Sequence, residues 1–453
     1  MTGLLAANLL YFAIGAALLP VLRIARTTGE LLERLALAYP VGVAATGVLA
    51  AHLALIEVPL GLVELVLLAA LTGFLGYRRL GSDPDTRGLT PIARTEPIWS
   101  RLIGGAALLV ALVLLLHAWR TFEVRPLLEW DGWAIWGTKA RALYEFGGAT
   151  GPVFTSEAYL PLQHPLLLPA LEATDYRAMG VFDPTLVHVQ LALLAVGFLL
   201  GFVGLLRDRV PAFVLGPSAL ALLAAEPVLK QLSTNLADVP LALFVALGLV
   251  GVGRWLAFGE RWPLVAGALF LGAGALTKSE GTFFALAALL ALLPFARARL
   301  RELGAAALAV GLIVLPWRLF VALHGLPLVE YRFRNAVSPS YLSDHSNRVA
   351  PAARGLAEEI FTLDWGLLVA LFALAVALAV VARRYEVAGF ALLWSALSFL
   401  GLLLIYWISV IPIDLALVWS ADRTVVTLVV GAAALAPLLA GAAATSGAAR
   451  GRR

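Results

Sequence analysis

Long apolar stretches alternate with polar connections along almost the whole chain. Each stretch approaches the roughly 20 residues that an α-helix needs to cross a bilayer. A soluble core could not cover so many of them on every side, whereas lipid does. The pattern therefore predicts an all-α polytopic membrane protein with about 13 transmembrane helices. The predicted spans are residues 4–22, 35–55, 58–76, 102–119, 185–206, 210–227, 238–257, 262–276, 281–296, 303–322, 365–382, 387–410 and 422–442.

Composition supports a membrane protein and removes other classes. Hydrophobic residues make up 61% of the 453 positions and charged residues 14%, with a mean hydropathy of +0.91. Soluble domains are about half apolar and a quarter charged. The chain has no cysteine, which excludes a disulfide framework and a thiolate metal site. It also lacks the basic–aromatic stripe of a nucleic-acid platform, so no nucleic-acid partner is expected.

Arginines concentrate in every second connection between the predicted spans. Cytoplasmic loops carry the excess of Lys and Arg, so this alternation predicts an external N-terminus and a cytoplasmic C-terminus in a multi-pass cell-membrane protein. The polar segments 120–184, 228–237 and 323–364 are then external, and we expect the first to form short amphipathic helices at the membrane surface. The basic connections contain Arg23, Arg26 and Arg34; Arg78, Arg79, Arg87, Arg94 and Arg101; Arg207 and Arg209; Arg254 and Arg261; Arg297, Arg299 and Arg301; Arg383 and Arg384; and Arg450, Arg452 and Arg453.

A cytoplasmic linker rich in Pro, Gly and Thr runs from Gly81 to Pro97. This linker indicates that the chain has two parts, with a boundary near residue 100. Residues 1–100 comprise three N-terminal helices and the linker, and residues 101–453 form the functional core with external loops 120–184 and 323–364.

Three positions at external helix–loop junctions are candidates for chemistry. Asp131 lies between Trp130 and Trp133, where a solvated acid in an interfacial aromatic belt is the alternative interpretation. His164 precedes a proline, and an ordinary surface or capping role would also explain it. Asp238 begins a predicted helix two residues before Pro240, where plain N-cap chemistry accounts for it equally well.

The sequence Thr277-Lys278-Ser279-Glu280-Gly281 separates the two shortest predicted spans. A Lys and a Glu are costly at membrane depth unless they are paired or used. The N–H groups and dipole of a helix that begins near Gly281 favour an anion such as phosphate. A turn with a simple Lys–Glu pair is the alternative, and the two short spans could also be one broken hairpin.

Further cations stand on the same predicted side. Arg423 lies at the start of the last span, and Arg332 and Arg334 lie in loop 323–364. Snorkelling and plain solvation are the alternatives for them. Together, acids and cations at external junctions are what a transferase needs for a phosphate-linked lipid substrate, because acids act as base or metal ligand and cations hold phosphate.

Two other functions fit a polytopic chain. A transporter or lipid-linked-sugar flippase would place charges near the midplane and usually shows a repeat, neither of which the sequence displays. A non-catalytic assembly subunit would be expected to lack the acid at Asp131, which is present.

Five short motifs in order carry a resemblance to a known family. They are W-D-G-W-A-I-W (130–136), Q-H-P-L-L-L-P (163–169), L-A-D-V-P-L-A-L-F (236–244), L-T-K-S-E-G (276–281) and S-A-D-R (420–423). The order resembles membrane glycosyltransferases of the GT-C superfamily, which includes protein O-mannosyltransferases and the lipid A aminoarabinose transferase. The similarity covers roughly residues 100–442. The chain departs from the family in having three extra helices before the first external acid.

The resemblance implies roles for individual residues. Asp131 would be the catalytic base, and Asp238 would assist it or share with it a divalent cation, Mg²⁺ or Mn²⁺. Some family members have an acid where this chain has His164, which puts that metal site in doubt. The other implied contacts are with the donor phosphate, through Lys278, Arg423, Arg332 and Arg334, and with the substrate, through Trp130, Trp133, His164 and Glu280.

The implied reaction moves a sugar from a polyprenyl-phosphate donor to a hydroxyl of a glycan, lipid or protein acceptor on the extracytoplasmic side. It proceeds with inversion because a single displacement inverts the anomeric centre. The lipid phosphate is the leaving group, so no nucleotide-binding fingerprint is required.

Overall fold

The computed structural model describes residues 1–81, 96–122, 127–155, 162–326 and 333–450. None of these residues forms a strand, and most of them are helical. The α-helices are α1 (Thr2–Val21), α2 (Thr28–Glu33), α3 (Ala38–Ala54), α4 (Leu62–Arg79), α5 (Ile98–Phe122), α6 (Thr138–Phe146), α7 (Pro152–Thr155), α8 (Leu167–Met179), α9 (Leu186–Leu206), α10 (Ala212–Ala224), α11 (Glu226–Leu232), α12 (Asp238–Phe258), α13 (Arg261–Thr277), α14 (Ser279–Leu292), α15 (Leu300–Leu323), α16 (Phe333–Ala336), α17 (Pro339–Asp344), α18 (Val349–Ile360), α19 (Leu363–Val381), α20 (Tyr385–Ile408) and α21 (Ile413–Arg450).

Nine helices of the described residues are long and apolar enough to cross a membrane, and the bent pair α10–α11 would make a tenth. An α-helical polytopic membrane protein is therefore confirmed, with fewer full-length spans than the expected 13. The difference has physical causes. Helix α4 carries Glu64, Arg78 and Arg79, and α14 has 14 residues, about 21 Å against a hydrocarbon core of about 30 Å. Helix α13 is also short, with 17 residues.

Buried and exposed apolar side chains divide the helices into central and peripheral ones. Helices α12 and α21 are almost wholly buried and pack against each other. Helices α5 and α15 are peripheral, and large apolar side chains such as Leu109, Val113, Leu308 and Leu312 are exposed on them. Lipid tails cover such faces without the cost that water would impose.

The N-terminal helices are joined to the rest by buried hydrogen bonds. Asn8 Nδ2 donates to Gln190 Oε1 at 2.9 Å, and Tyr39 OH donates to Asn8 Oδ1 at 2.5 Å. Tyr11 OH donates to Asp175 Oδ1 at 2.8 Å. The predicted division near residue 100 therefore does not coincide with a gap in packing.

The segment 120–184, which was predicted to be external, contains short helices in its described part, as expected, but α8 does not lie on a surface. Leu167 to Tyr176 are all buried, and α8 packs against α1 and α3. The apolar residues on α8 are covered by these N-terminal helices, so this part of the loop belongs to the interior of the bundle.

Candidate functional site

A cavity of about 700 Å³ lies at the end of the bundle where α12 begins, α13 ends and α14 begins. We call this the Asp238 end and the opposite one, where α12 finishes, the Arg254 end. The volume falls within the range of pockets that hold small molecules. Seven of the residues predicted to form the site line this cavity together: Trp130, Asp131, His164, Asp238, Lys278, Glu280 and Arg423.

Close backbone packing brings the segment that contains Asp131 to the start of α12. Residues Gly132–Gly137 form a π-helical turn directly after Asp131, a distortion that is frequent at functional sites. A Cβ at Gly132 would lie 2.3 Å from the carbonyl oxygen of Thr234, so only glycine permits this approach. Asn235, in the left-handed region with φ of 53°, donates from Nδ2 to Gly132 O at 3.3 Å. This contact holds Asp131 and Asp238 at the same cavity.

Lys278 occupies an extended break between α13 and α14 (φ −147°, ψ 156°). Its Nζ donates to Asp238 Oδ1 at 2.7 Å and lies 3.6 Å from Glu280 Oε1. Burial alone would lower the pKa of Lys278, but the two carboxylates raise it above its ordinary value, so it remains charged. The Lys278 side chain is 12% exposed against 5% and 6% for its partners. The Lys278 side chain is thus the most accessible of the three.

The break is possible because α14 begins very close to α13. A Cβ at Gly281 would lie 2.1 Å from the carbonyl oxygen of Gly274. Gly281 therefore serves close helix packing, and this explains why a glycine follows Lys278 and Glu280 in the sequence.

Arg423 makes the second ion pair of the cavity. Its Nη1 donates to Asp131 Oδ2 and its Nη2 to the carbonyl oxygen of Trp419 at 3.1 Å. Lys278 and Arg423, two of the four cations predicted to bind phosphate, thus each hold one acid predicted to act in catalysis. Beside Arg423, Tyr406 OH lies 2.9 Å from Ser420 Oγ and 3.0 Å from Thr424 Oγ1.

His164 is buried at the cavity wall. Its ring centroid lies 5.3 Å from that of Trp136, and its Nδ1 lies 3.3 Å from Ser279 Oγ. Burial and the charges of Lys139, Lys278 and Arg423 hold the pKa of His164 well below its usual value. A neutral imidazole in this position is suited to hydrogen bonding with a substrate hydroxyl.

Lys139 supports the segment that carries His164. Its Nζ donates to the carbonyl oxygens of Leu162 at 3.3 Å and His164 at 3.1 Å. Burial lowers the pKa of Lys139 to about 7. Lys139 therefore fixes the backbone of the segment that places His164 in the cavity wall.

The remaining predicted residues lie elsewhere. Trp133 is exposed, with its ring edge-on to Trp130 at 6.4 Å, and is not among the lining residues. Arg334 is exposed on α16 and is also absent from the lining, so its predicted phosphate contact gains no support. Arg332 lies outside the described residues.

The two acids predicted to share a divalent cation both form ion pairs. Asp131 and Asp238 are each bonded to a cationic side chain, Arg423 and Lys278 respectively. Within the described ranges, no three or more His, Cys, Asp or Glu residues form a group that could hold a metal ion. The divalent cation therefore stays a prediction, and the reaction below is described with Asp131 and Asp238 in these ion pairs.

The structure adds residues that sequence reasoning did not assign. The cavity is also lined by Glu129, Asp422, Trp136, Trp419 and Tyr406. Glu129 and Asp422 are sequence neighbours of assigned residues, and Tyr406 interrupts an apolar run near its end, so weak signals existed for these three. The lining contains five carboxylates against two cations: Glu129, Asp131, Asp238, Glu280 and Asp422, with Lys278 and Arg423.

Comparisons of the chain with protein-family models, with curated proteins and with solved structures found no match. The geometry of the cavity and its chemistry therefore carry the functional argument.

Proposed function

We propose that this protein is a membrane glycosyltransferase of the GT-C type, which moves a sugar from a polyprenyl-phosphate donor to an acceptor hydroxyl. The observation that carries the proposal is the joint lining of one cavity by acids, cations and indole rings at the end of an apolar bundle. These are the groups needed to deprotonate a hydroxyl, hold a phosphate and pack against a sugar ring.

The donor enters with its phosphate toward Lys278 and Arg423. The same cavity has apolar walls from Leu236, Ile405 and Ile411, which suit the first prenyl units. The phosphate competes with Asp131 for Arg423, because both are anions within reach of one guanidinium. Donor binding thereby draws Arg423 away and leaves the Asp131 carboxylate available as a base.

Transfer is a single displacement. The acceptor oxygen bonds to the anomeric carbon as the bond from that carbon to the phosphate oxygen breaks, and Asp131 takes the hydroxyl proton. Prenyl phosphate leaves with the bonding electron pair, and Lys278 and Arg423 stabilise its charge. The configuration at the anomeric carbon inverts. His164 and Trp130 position the sugar.

The decisive experiment compares Asp131→Asn with the wild type in a sugar-transfer assay using a polyprenyl-phosphate donor. Transfer should fall by about 10²–10⁴-fold, the usual contribution of a general base, while donor binding persists. Asp414→Asn is the matched control, because Asp414 is exposed and does not line the cavity. Full activity of Asp131→Asn would end the assignment of the base.

We propose that the Asp238 end faces the outside of the cell, with the N-terminus outside, the C-terminus in the cytoplasm and 13 membrane segments when the short helices are included. The native chain has no cysteine, so an introduced cysteine is the only thiol of the protein that a reagent can label. In intact cells an impermeant thiol reagent should label Ser340→Cys on α17 and spare Ala298→Cys, both at exposed positions. The opposite labelling would invert the orientation.

A further inference from the structure

Glu172 on α8 is a buried carboxyl group that does not line the main cavity. Its side chain belongs to a residue that is only 1% exposed. No donor among the described residues reaches either of its carboxyl oxygens. A carboxylate is rarely buried without a paired cation or hydrogen-bond donors, because the interior does not replace the water that stabilises its charge. The surroundings of Glu172 therefore disfavour its ionised form.

The titratable neighbours of Glu172 do not offset this effect. Burial raises the pKa of Glu172 well above its ordinary value of 4.5, Asn235 opposes the rise and the Asp175 carboxyl adds to it. The buried cation nearest in the fold, Lys139, donates to backbone carbonyl oxygens. The buried titratable groups on α8 and on the helices packed against it are Asp175 and Tyr176 on α8, Tyr11 on α1, Tyr39 on α3 and Lys139 on α6.

The side chain of Asn235 connects Glu172 to the site. It interacts with the Glu172 carboxyl and donates from Nδ2 to Gly132 O at 3.3 Å. Asn235 is fully buried, yet its Oδ1 accepts from no donor among the described residues. Two interacting side chains thus each carry buried acceptor oxygens without a donor. Buried polar atoms are nearly always paired, and one proton on Glu172 would supply the donor that this pair lacks.

We infer that Glu172 is protonated in the folded protein, donates to Asn235 Oδ1 and thereby acts as a positioning residue for Asp131. This inference rests on the function proposed above. A hydrogen bond to Oδ1 holds the Asn235 amide with Nδ2 toward Gly132 O, on the residue that follows Asp131. Asn235 also precedes Asp238 by three positions, so one amide fixes the backbone beside both acids. An ionised Glu172 would attract Nδ2 and compete with Gly132 for it.

The proton on Glu172 is tested by unfolding, without an assay of transfer. Chemical denaturation in detergent compares the wild type with Glu172→Gln, which cannot ionise, between about pH 5 and pH 8. In this range the folded wild type keeps a proton that the unfolded chain loses, so rising pH favours unfolding. The ratio of the unfolding constants, wild type to variant, should rise by up to about tenfold per pH unit. A ratio that stays constant or falls would show that Glu172 is ionised in the folded protein.

Positioning is tested by amide hydrogen exchange and by transfer kinetics. Glu172→Met removes the donor at similar length, and Asn235→Gly removes the amide while permitting the positive φ. In each variant the amides of Gly132–Gly137 should exchange about tenfold faster and kcat should fall about tenfold, the effect of one lost hydrogen bond. The KM for polyprenyl phosphate should stay near the wild-type value. The double variant should show no larger change than either single one, because both substitutions break the same connection.

Two further variants serve as controls. Glu172→Gln should match the wild type in exchange and in kcat, because its amide N–H replaces the carboxyl donor. Thr174→Val alters another buried residue of α8, whose Oγ1 donates within the helix to Ala170 O at 2.7 Å, and should also match the wild type.

Three results would overturn the positioning role: wild-type exchange in Glu172→Met, additive effects in the double variant, or equal losses in Glu172→Gln and Glu172→Met. Failure of the proposed function gives a different pattern. In that case the wild type would not transfer sugar from the donor, or Asp131→Asn would retain transfer. The pH-dependent ratio and the faster exchange of Gly132–Gly137 would persist.

Discussion

Charged side chains gather at both ends of the helix bundle, in cavities of similar volume, about 630 Å³ at the Arg254 end and about 700 Å³ at the Asp238 end. At the Arg254 end they nearly neutralise one another. Arg254 is 1% exposed and bonds Asp208 and Glu260 at 2.5 Å each. That cavity is lined by five arginines and four acids: Arg34, Arg101, Arg207, Arg209 and Arg254, with Glu33, Glu96, Asp208 and Glu260.

At the Asp238 end the charges do not balance. Five carboxylates share the lining with Lys278 and Arg423, and four aromatic side chains, Trp130, Trp136, Trp419 and Tyr406, stand among them. The two ends do not differ in having ion pairs or in cavity volume. They differ in the excess of negative charge and in the aromatic side chains that line the cavity at the Asp238 end. Both features favour the binding of a ligand.

The largest expected effect tests the structural role of the balanced end. Arg254→Met leaves Asp208 and Glu260 without their buried partner, and should lower the free energy of unfolding by about 3–5 kcal/mol. Transfer per folded molecule should stay near the wild-type value. Chemical denaturation in detergent and the transfer assay measure the two quantities.

Arg261→Met is the control for that variant. Arg261 pairs with Glu302 at 2.8 Å but is 73% exposed, so its loss should cost about 0–1 kcal/mol. A large loss of specific activity in Arg254→Met with unchanged stability would show that the Arg254 end is functional. The proposed difference between a structural Arg254 end and a ligand-binding Asp238 end would then be wrong.

The next effect is on donor affinity at the Asp238 end. Lys278→Gln or Arg423→Gln should each weaken binding of polyprenyl phosphate by about 1.5–3 kcal/mol, the contribution of a charge-assisted hydrogen bond. Arg334→Gln should leave it unchanged, because Arg334 lies outside the cavity lining. If only Arg334→Gln weakens binding, the phosphate is held by loop 323–364.

The smallest effect, taken over one pH unit, concerns Lys139, a buried lysine bonded to backbone carbonyls. Its pKa is about 7 in the folded protein against an ordinary 10.5. Between these values the unfolded chain binds more protons, so the free energy of unfolding should rise by about 1.4 kcal/mol for each unit of increasing pH, and this gain should disappear as pH falls toward 7. Lys139→Met should remove this slope. The exposed Lys230→Met should retain it, and equal slopes in both variants would contradict a neutral Lys139.

The positions of the helices were predictable because an apolar run long enough for a span has few structures other than a helix available in lipid. Every predicted span coincides with a helix, including 210–227, which is bent by 60° beside Pro227. Pro227 has no N–H to donate into the preceding turn. The sequence did not predict that α8 is interior, since its apolar face resembles that of a surface helix.

Contacts in the site were less predictable. Asp131 and Arg423 are separated by 292 positions, and their pairing depends on how α21 packs against the segment that contains Asp131. The sequence predicted Asp131, Lys278 and Arg423 on one side because it placed each at a helix–loop junction. For Arg423 that prediction is wrong, since α21 begins at Ile413 and Arg423 lies within the helix. The sequence could not separate Arg423 from Arg334, because both are arginines in polar surroundings and only the packing directs one into the cavity.

The hydrogen bond between Asn8 and Gln190 has a consequence for how the chain is made. The partners are 182 residues apart, and ribosomes add about 5–20 residues per second, so α1 is synthesised roughly 10–40 s before Gln190 exists. During that interval Asn8 Nδ2 can donate to Leu4 O within α1, at 2.9 Å in the folded protein, but the bonds to Gln190 and Tyr39 are still missing, and an incompletely paired amide in hydrocarbon is costly. The final packing of the first helix therefore depends on a residue that is translated 182 positions later.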